Sequence, residues 1–91
     1  MSRAAWKCTI EGRVQGVFYR AATAERATEL GIDGCVRNLP NGSVEVVASG
    51  AVESLDSLAA WLWQGPPEAS VTAVTLEEWQ QDVEPGFRIQ R

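Results

Sequence analysis

Apolar and polar residues alternate near the start of the chain and then change their spacing. From Trp6 to Val14 the apolar positions are separated by charged or hydroxyl side chains, a period of two that predicts a strand with one buried face. After Gly16 the spacing lengthens to three or four residues along an alanine-rich stretch, which predicts a helix of about ten residues ended by Gly31. The apolar face of that helix is expected at Ala21, Ala24, Ala27 or Thr28, and Leu30.

A hairpin is predicted in the middle of the chain. Residues 34–38 and 43–48 are two short segments rich in β-branched residues. Residues 39–42 join them, and the dipeptide Asn41-Gly42 supplies the positive-φ positions that a tight turn needs.

The second half of the chain predicts one more helix and two strands. Leucines and an alanine at spacings i, i+3, i+4 and i+7 (Leu55, Leu58, Ala59, Leu62) predict a helix that Gly65 and two prolines terminate. Residues 71–76 and the shorter segment 87–89 predict strands. This order predicts an α+β fold, the ferredoxin-like βαββαβ sandwich, with two helices on one face of a mostly antiparallel sheet.

The composition limits the domain count and the chemistry. Ninety-one residues form one domain at most, so residues 1–91 are expected to be a single domain. The chain has no histidine, which excludes a Ser-His-Asp triad and any His-ligated zinc site. Its two cysteines, Cys8 and Cys35, are too few for a four-thiolate zinc site and suit a reducing compartment.

Charge and hydropathy indicate location and partners. No apolar stretch follows the first basic residues and no segment approaches the ~20 residues of a membrane span, so we expect a cytoplasmic protein that does not contact a membrane. A net charge of −4 argues against nucleic-acid binding. Residues 1–46 carry six basic and five acidic side chains, whereas residues 47–91 carry two and seven. An anionic ligand is therefore expected to bind the first half.

The segment between the first strand and the first helix is the best candidate for a site. It contains Gly12 and Gly16 and ends with Arg20. Backbone N–H groups in such a turn, together with the helix N-terminus, form an anion-binding concavity, and an arginine can bind two phosphate oxygens. By itself this segment is also compatible with a simple turn followed by a solvated arginine, and it matches neither a P-loop nor a dinucleotide-binding fingerprint.

Two segments resemble the signatures of a known family. Residues 14–20, Val-Gln-Gly-Val-Phe-Tyr-Arg, and residues 34–46, Gly-Cys-Val-Arg-Asn-Leu-Pro-Asn-Gly-Ser-Val-Glu-Val, are similar to the two signature segments of the acylphosphatases. Residues 65–71 and 86–89 resemble that family as well. The resemblance implies a ferredoxin-like enzyme that hydrolyses the carboxyl–phosphate bond of small acyl phosphates, such as acetyl, carbamoyl or glycolytic acyl phosphates, without metal or cofactor.

The resemblance also implies the site residues. Arg20 and Asn38 are expected to be catalytic, Arg20 by binding the phosphate and Asn38 by orienting the attacking water. From its sequence position alone, Asn38 would be a turn-former before Pro40, and Arg37 is expected to be an exposed strand residue. Gln15 is expected to shape the loop. The backbone phosphate cradle is expected to comprise Gln15, Gly16, Val17, Phe18, Tyr19 and Arg20.

Several residues depart from the family or lie outside its signatures. Cys35 stands where the family commonly has tryptophan, and we expect it to be half-buried or in the core. In the family's strand order the third strand separates the first from the second, so Cys8 and Cys35 are expected to be free thiols. Trp6 and Trp61 are predicted to pack in the core, and Trp63 and Trp79 to be partly exposed.

Two alternatives use the same fold. One is a non-catalytic phosphate- or RNA-binding module, which the acidic charge and the presence of both Arg20 and Asn38 disfavour. The other is a domain of a larger carbamoyl-transfer enzyme, disfavoured because the chain begins with Met1 and ends with the fold. We expect a monomer that binds a small molecule.

Overall fold

A computed structural model describes residues 2–90 of the chain. The chain forms five strands and two helices in the predicted order. They are β1 (Arg3–Arg13), α1 (Tyr19–Glu29), β2 (Asp33–Asn38), β3 (Val44–Ala51), α2 (Val52–Gln64), β4 (Ser70–Glu78) and β5 (Phe87–Ile89).

The strands form one mixed sheet in the order β4-β1-β3-β2-β5. β1 pairs antiparallel with both β3 and β4, β2 pairs antiparallel with β3, and the short β5 runs parallel to β2. β1 begins earlier than its alternation indicates, because Arg3, Ala4 and Ala5 already pair with the end of β3. The sheet with its two helices confirms the predicted ferredoxin-like α+β fold.

One core lies between the helices and a single face of the sheet. Cys8 and Ile10 of β1 face Val46 and Val44 of β3, and these four side chains are buried. The buried stripe of α2 covers them with the predicted leucines Leu55, Leu58 and Leu62. Trp6 and Trp61 pack against the edge of this core, as predicted.

The buried face of α1 agrees with the prediction only in part. The predicted Ala27 is buried and Leu30 packs against the core, as expected. Ala21 is exposed instead, and the helix also buries Tyr19 and Thr23. Burial of a tyrosine ring stabilises the fold far more than burial of an alanine methyl group. Tyr19 therefore determines which face of α1 turns inward. Thr23 can be buried at low cost because its hydroxyl donates to the Tyr19 carbonyl oxygen at 2.8 Å.

The ends of α1 and of the hairpin follow the predicted turn residues. Gly31 has φ 71, and the N–H groups of Gly31 and Ile32 donate to the Thr28 and Ala27 carbonyls, which closes the helix in a Schellman motif. In the hairpin only Gly42 has positive φ, whereas Asn41 contributes its side chain, whose Oδ1 accepts from the Ser43 N–H at 3.0 Å. The expectation of positive φ at Asn41 was therefore wrong.

The two cysteines are free and lie on opposite faces of the sheet. Cys8 points into the core, where burial raises the pKa of its thiol to about 12. Cys35 pairs with Val47 on the other face and is half-buried, and desolvation followed by the nearby Glu45 carboxylate raises the pKa of its thiol. Because β3 lies between β1 and β2, these cysteines stay free, as predicted.

The other two tryptophans lie partly at the surface. Trp63 on α2 is 53% exposed and Trp79 is half-buried, in agreement with the prediction. Between residues 2 and 90, neither helix is long and apolar enough to cross a membrane.

Gly34 is the position where β2 and β3 approach too closely for a side chain. It has φ 143, and a Cβ there would overlap the Val47 carbonyl oxygen. We predict that Gly34→Ala lowers the free energy of unfolding by about 2–4 kcal/mol, through backbone strain and steric overlap together. Urea denaturation would measure this loss.

Gly42→Ala is the matched control for this substitution. Gly42 also has positive φ, 95, but a Cβ there would meet no atom within 4 Å. Only the conformational cost, about 1–2 kcal/mol, is then expected. Equal losses in both variants would contradict the close approach at Gly34.

Candidate active site

The loop from β1 to α1 alternates buried and exposed positions. Val14, Val17 and Tyr19 are buried, whereas Gly16 and Phe18 between them are exposed. Along the same loop φ is positive at Gly16 (74) and at Phe18 (63) but not at the residues before each of them. Backbone that alternates in handedness turns successive N–H groups to one side and forms an anion-binding nest.

The N-terminus of α1 adds further donors to this nest. Phe18 is the N-cap residue, with φ 63 and ψ 22, and no side chain caps the helix. The first helical hydrogen bond joins the Ala22 N–H to the Phe18 carbonyl at 3.0 Å, so the N–H groups of Tyr19, Arg20 and Ala21 have no partner within the helix. Because the first turn contains no acidic residue, its positive end can attract an anion.

Tyr19 anchors the loop in the protein interior. Its hydroxyl donates to the Leu62 carbonyl of α2 at 2.6 Å, and its ring lies 5.9 Å from that of Trp61. Burial, with a smaller contribution from Cys8, raises the pKa of the Tyr19 phenol, so the hydroxyl stays a donor throughout the neutral range. The side chain therefore holds the first turn of α1 against the end of α2.

Gln15 connects the loop to the β2–β3 hairpin. Its amide Nε2 donates to the Leu39 carbonyl and to the Ser43 carbonyl, each at 2.8 Å. These two carbonyls flank the hairpin turn that directly follows Asn38. One side chain thus fixes the distance between two segments that lie far apart in the sequence, in agreement with the expectation that Gln15 shapes the loop.

A cleft of about 360 Å³ opens where the loop, α1 and the end of β2 meet. Of the predicted site residues, it brings together Gly16, Phe18, Tyr19, Arg20 and Asn38. The side chains of the other two face elsewhere, Val17 into the core and Gln15 towards the hairpin. The cleft is also lined by Val14, Ala21 and Ile89.

Arg20 is the charged side chain of the cleft. Its Nη1 donates to the Gln90 backbone carbonyl at 3.1 Å, just beyond β5. Within residues 2–90 no carboxylate forms an ion pair with this guanidinium, so its charge has no fixed anionic partner there. Arg37, by contrast, lies on the open face of the sheet, where it pairs with Glu45 at 3.0 Å, and it is exposed as expected.

Asn38 carries an unusual polar atom. Its amide oxygen Oδ1 is buried and accepts no hydrogen bond from any group in the described part of the chain. Leaving such an atom without a partner costs about 1–3 kcal/mol, and Asn38 lines the same cleft as Arg20. Asn38 thus brings a buried acceptor, without a partner among residues 2–90, to the wall of the cleft.

The sequence did not indicate the contribution of β5. Residues 87–89 were predicted only as a short strand, yet Ile89 lines the cleft and the Gln90 carbonyl holds Arg20. This contribution depends on the parallel pairing of β5 beside β2. Knowledge of the sheet order would have revealed it, because β5 then lies next to the strand that presents Asn38.

Comparison with known proteins gives one consistent result. Residues 6–89 match the family model described as Acylphosphatase. An acylphosphatase from Xanthomonas euvesicatoria is 61% identical over 66 residues, which cover 72% of this chain and 75% of that protein. The structure of an acylphosphatase from Coxiella burnetii superimposes with a TM-score of 0.92 at 41% identity, covering 97% of this chain and 93% of that one. An acylphosphatase from Bacillus subtilis gives the same TM-score at 28% identity, covering 96% and 98%.

The bridge made by Gln15 can be tested by removing its donors. We predict that Gln15→Leu lowers the free energy of unfolding by about 1–3 kcal/mol, because the Leu39 and Ser43 carbonyls lose their partner in a half-buried place. Chemical denaturation of the purified variant would measure the change.

Gln80→Leu serves as the control, since Gln80 is an exposed glutamine whose amide donates only to Glu78. Its effect is expected to stay within about 0.5 kcal/mol. A Gln15→Leu variant as stable as the Gln80→Leu variant would show that the bridge does not hold the two segments together.

Proposed function

This chain belongs to the acylphosphatase family and hydrolyses acyl phosphates, and we propose that Arg20 and Asn38 are its catalytic residues. In this proposal the backbone of Gln15–Arg20 binds the phosphoryl group. Arg20 neutralises its charge, and Asn38 orients the attacking water. The observation that carries the assignment is that Arg20, the loop and Asn38 line one cleft, and that the Asn38 amide oxygen has no hydrogen-bond partner among residues 2–90.

The loop and Arg20 supply the electrostatic part of catalysis. Phosphoryl transfer depends mainly on positioning and on stabilising charge at the equatorial phosphoryl oxygens. The N–H groups at the start of α1 and the alternating backbone at Gly16 and Phe18 are fixed before substrate binds, because buried side chains hold the loop. Preformed donors need no reorganisation during the reaction.

The Gln90 carbonyl helps to fix the position of the Arg20 guanidinium. Its hydrogen bond to the Gln90 carbonyl uses one Nη1–H and leaves the other donors for phosphate oxygens. A guanidinium held in this way can bind two oxygens at once, which a flexible lysine would do less well.

Asn38 is suited to hold the nucleophile. A neutral amide both accepts and donates hydrogen bonds, so it can bind a water molecule without repelling the phosphate as a carboxylate would. When that water forms its bond to phosphorus, the bond from phosphorus to the acyl oxygen breaks and its electron pair leaves on the carboxylate. The protons of the water stay on the inorganic phosphate that forms, where one of them moves to another phosphoryl oxygen, directly or through solvent. Because a carboxylic acid has a pKa near 4, this leaving group departs without a proton at neutral pH. No side chain of the cleft has to act as an acid.

The proposal also includes the domain organisation of the enzyme, its location, its partners and its oligomeric state. Side chains from every layer share one core, which supports a single acylphosphatase-like domain over residues 1–91. Two free thiols suit the reducing cytoplasm, and the net charge of −4 supports a small-molecule substrate rather than a nucleic acid. Of the four exposed large apolar side chains in residues 2–90, two line the cleft, which leaves little apolar surface for a stable oligomer and favours a monomer.

The roles of Arg20 and Asn38 can be separated by kinetics with benzoyl phosphate. We predict that Asn38→Ala lowers kcat by at least about 100-fold, the size of effect seen when one group that stabilises the transition state is removed. Inhibition by inorganic phosphate is expected to persist, since the cradle is intact. Arg20→Ala is expected to weaken both turnover and phosphate inhibition.

Arg37→Ala is the matched control, because Arg37 is the arginine next to Asn38 in sequence but lies outside the cleft. Its turnover should equal that of the unmodified enzyme. Full activity of Arg20→Ala or of Asn38→Ala would refute the role assigned to that residue.

The expected mechanism uses no metal ion. Within residues 2–90 no three histidine, cysteine or acidic side chains are grouped so that they could hold one. We predict that EDTA leaves kcat and KM for benzoyl phosphate unchanged, because the guanidinium and the backbone donors carry the positive charge. A loss of activity on chelation that added Mg²⁺ restores would contradict this mechanism.

A further inference from the structure

Phe18 combines two unfavourable features at the mouth of the cleft. Its backbone lies in the left-handed region, φ 63 and ψ 22, which non-glycine residues rarely adopt. Its side chain is 80% exposed, the most exposed large apolar residue in the described chain. The backbone conformation serves the nest, and glycine or asparagine would adopt it more easily. The backbone conformation therefore does not explain why residue 18 is aromatic.

A second apolar side chain lines the same cleft. Ile89 on β5 is 44% exposed. It shares the cleft with Phe18 and with Ala21 of the first turn of α1. The other side chains that offer polar groups to the cleft, Arg20 and Asn38, are already assigned to the phosphate and the water. The cleft therefore has a polar part and an apolar part.

The size and charge of the cleft indicate what the apolar part binds. A phosphate group has five heavy atoms, and at roughly 30 Å³ for each it would fill less than half of the 360 Å³. The remaining space adjoins apolar side chains. Among residues 2–90, Arg20 is the one charged residue lining the cleft, so a second anionic group on the substrate would find no cation of its own.

We propose that Phe18 and Ile89 form the acyl-binding wall of the enzyme and make it selective for acyl phosphates with an aromatic or branched apolar acyl group. This inference rests on the proposed function of the cleft and adds the substrate class. When such an acyl group binds, it covers the ring of Phe18 and the side chain of Ile89 and removes them from water. A two-carbon acetyl group covers much less of this apolar surface.

The test compares kcat/KM for benzoyl phosphate with kcat/KM for acetyl phosphate. The two substrates differ in the reactivity of their leaving groups, but this difference is the same in every variant. The change in the ratio between a variant and the unmodified enzyme therefore isolates contacts to the acyl group. We expect the unmodified enzyme to have a higher kcat/KM for benzoyl phosphate. Phe18→Asn is expected to lower the ratio about tenfold, because the loss of a few apolar groups from a binding pocket reduces discrimination between substrates by about that factor. Asparagine tolerates positive φ, so it removes the ring without adding backbone strain.

Two further variants distinguish the wall from the loop. Ile89→Thr keeps a β-branched side chain in β5 and is expected to lower the ratio about threefold. Phe18→Leu keeps an apolar side chain and is expected to retain most of the preference. Trp63→Ala, which removes an exposed aromatic residue of α2 outside the cleft, should leave both substrates unchanged.

The possible results distinguish a failure of the acyl-binding wall from a failure of the proposed function. Equal kcat/KM for both substrates in the unmodified enzyme, or an unchanged ratio in Phe18→Asn and Ile89→Thr, overturns the acyl-binding wall while acylphosphatase activity stands. A parallel loss on both substrates in Phe18→Asn also overturns it, because it assigns the effect to loop geometry. Failure of the unmodified enzyme to hydrolyse either substrate would refute the proposed function itself.

Discussion

The loop between β1 and α1 has to keep a strained conformation while it presents backbone N–H groups to the cleft. The rest of the structure depends on this constraint. An anion-binding nest turns its N–H donors towards a ligand, so the loop gains little stability from hydrogen bonds of its own. The buried side chains between the exposed positions, Val17 and Tyr19, provide the stability instead. The Tyr19 hydroxyl extends this anchoring to the end of α2. The core thus stabilises an active-site conformation that the isolated loop would not keep.

The second requirement is that two distant segments meet. Arg20 follows β1 and Asn38 ends β2, and these strands are not neighbours in the sheet, because β3 runs between them. The Gln15 amide connects the loop directly to the turn after Asn38. A glutamine can do this where a shorter or apolar residue cannot, since it supplies two N–H donors at the end of a flexible chain. A side chain that does not line the cleft therefore holds together the two segments that form it.

Much of this arrangement could be predicted from the sequence. Elements with one clear periodicity, such as β1 and the leucine stripe of α2, have a pattern that records which face is buried. The predicted burial of Ala21 in α1 was wrong. An alanine-rich helix has no strong apolar stripe, so one tyrosine determines its orientation. The family resemblance indicated Arg20 and Asn38. The participation of Ile89 and Gln90 could not be predicted locally, since it arises from the pairing of β5 with β2.

The shortness of β5 links the two halves of the cleft. This strand has three residues and pairs with the rest of the sheet through β2 alone. It nevertheless provides Ile89 to the apolar wall and leads directly into the carbonyl that holds Arg20. Edge strands open more readily than central strands, often without global unfolding. Local opening of this edge would release the Arg20 guanidinium and displace Ile89 together. Under the two proposals above, phosphate binding and acyl selectivity would then depend on one local folding equilibrium.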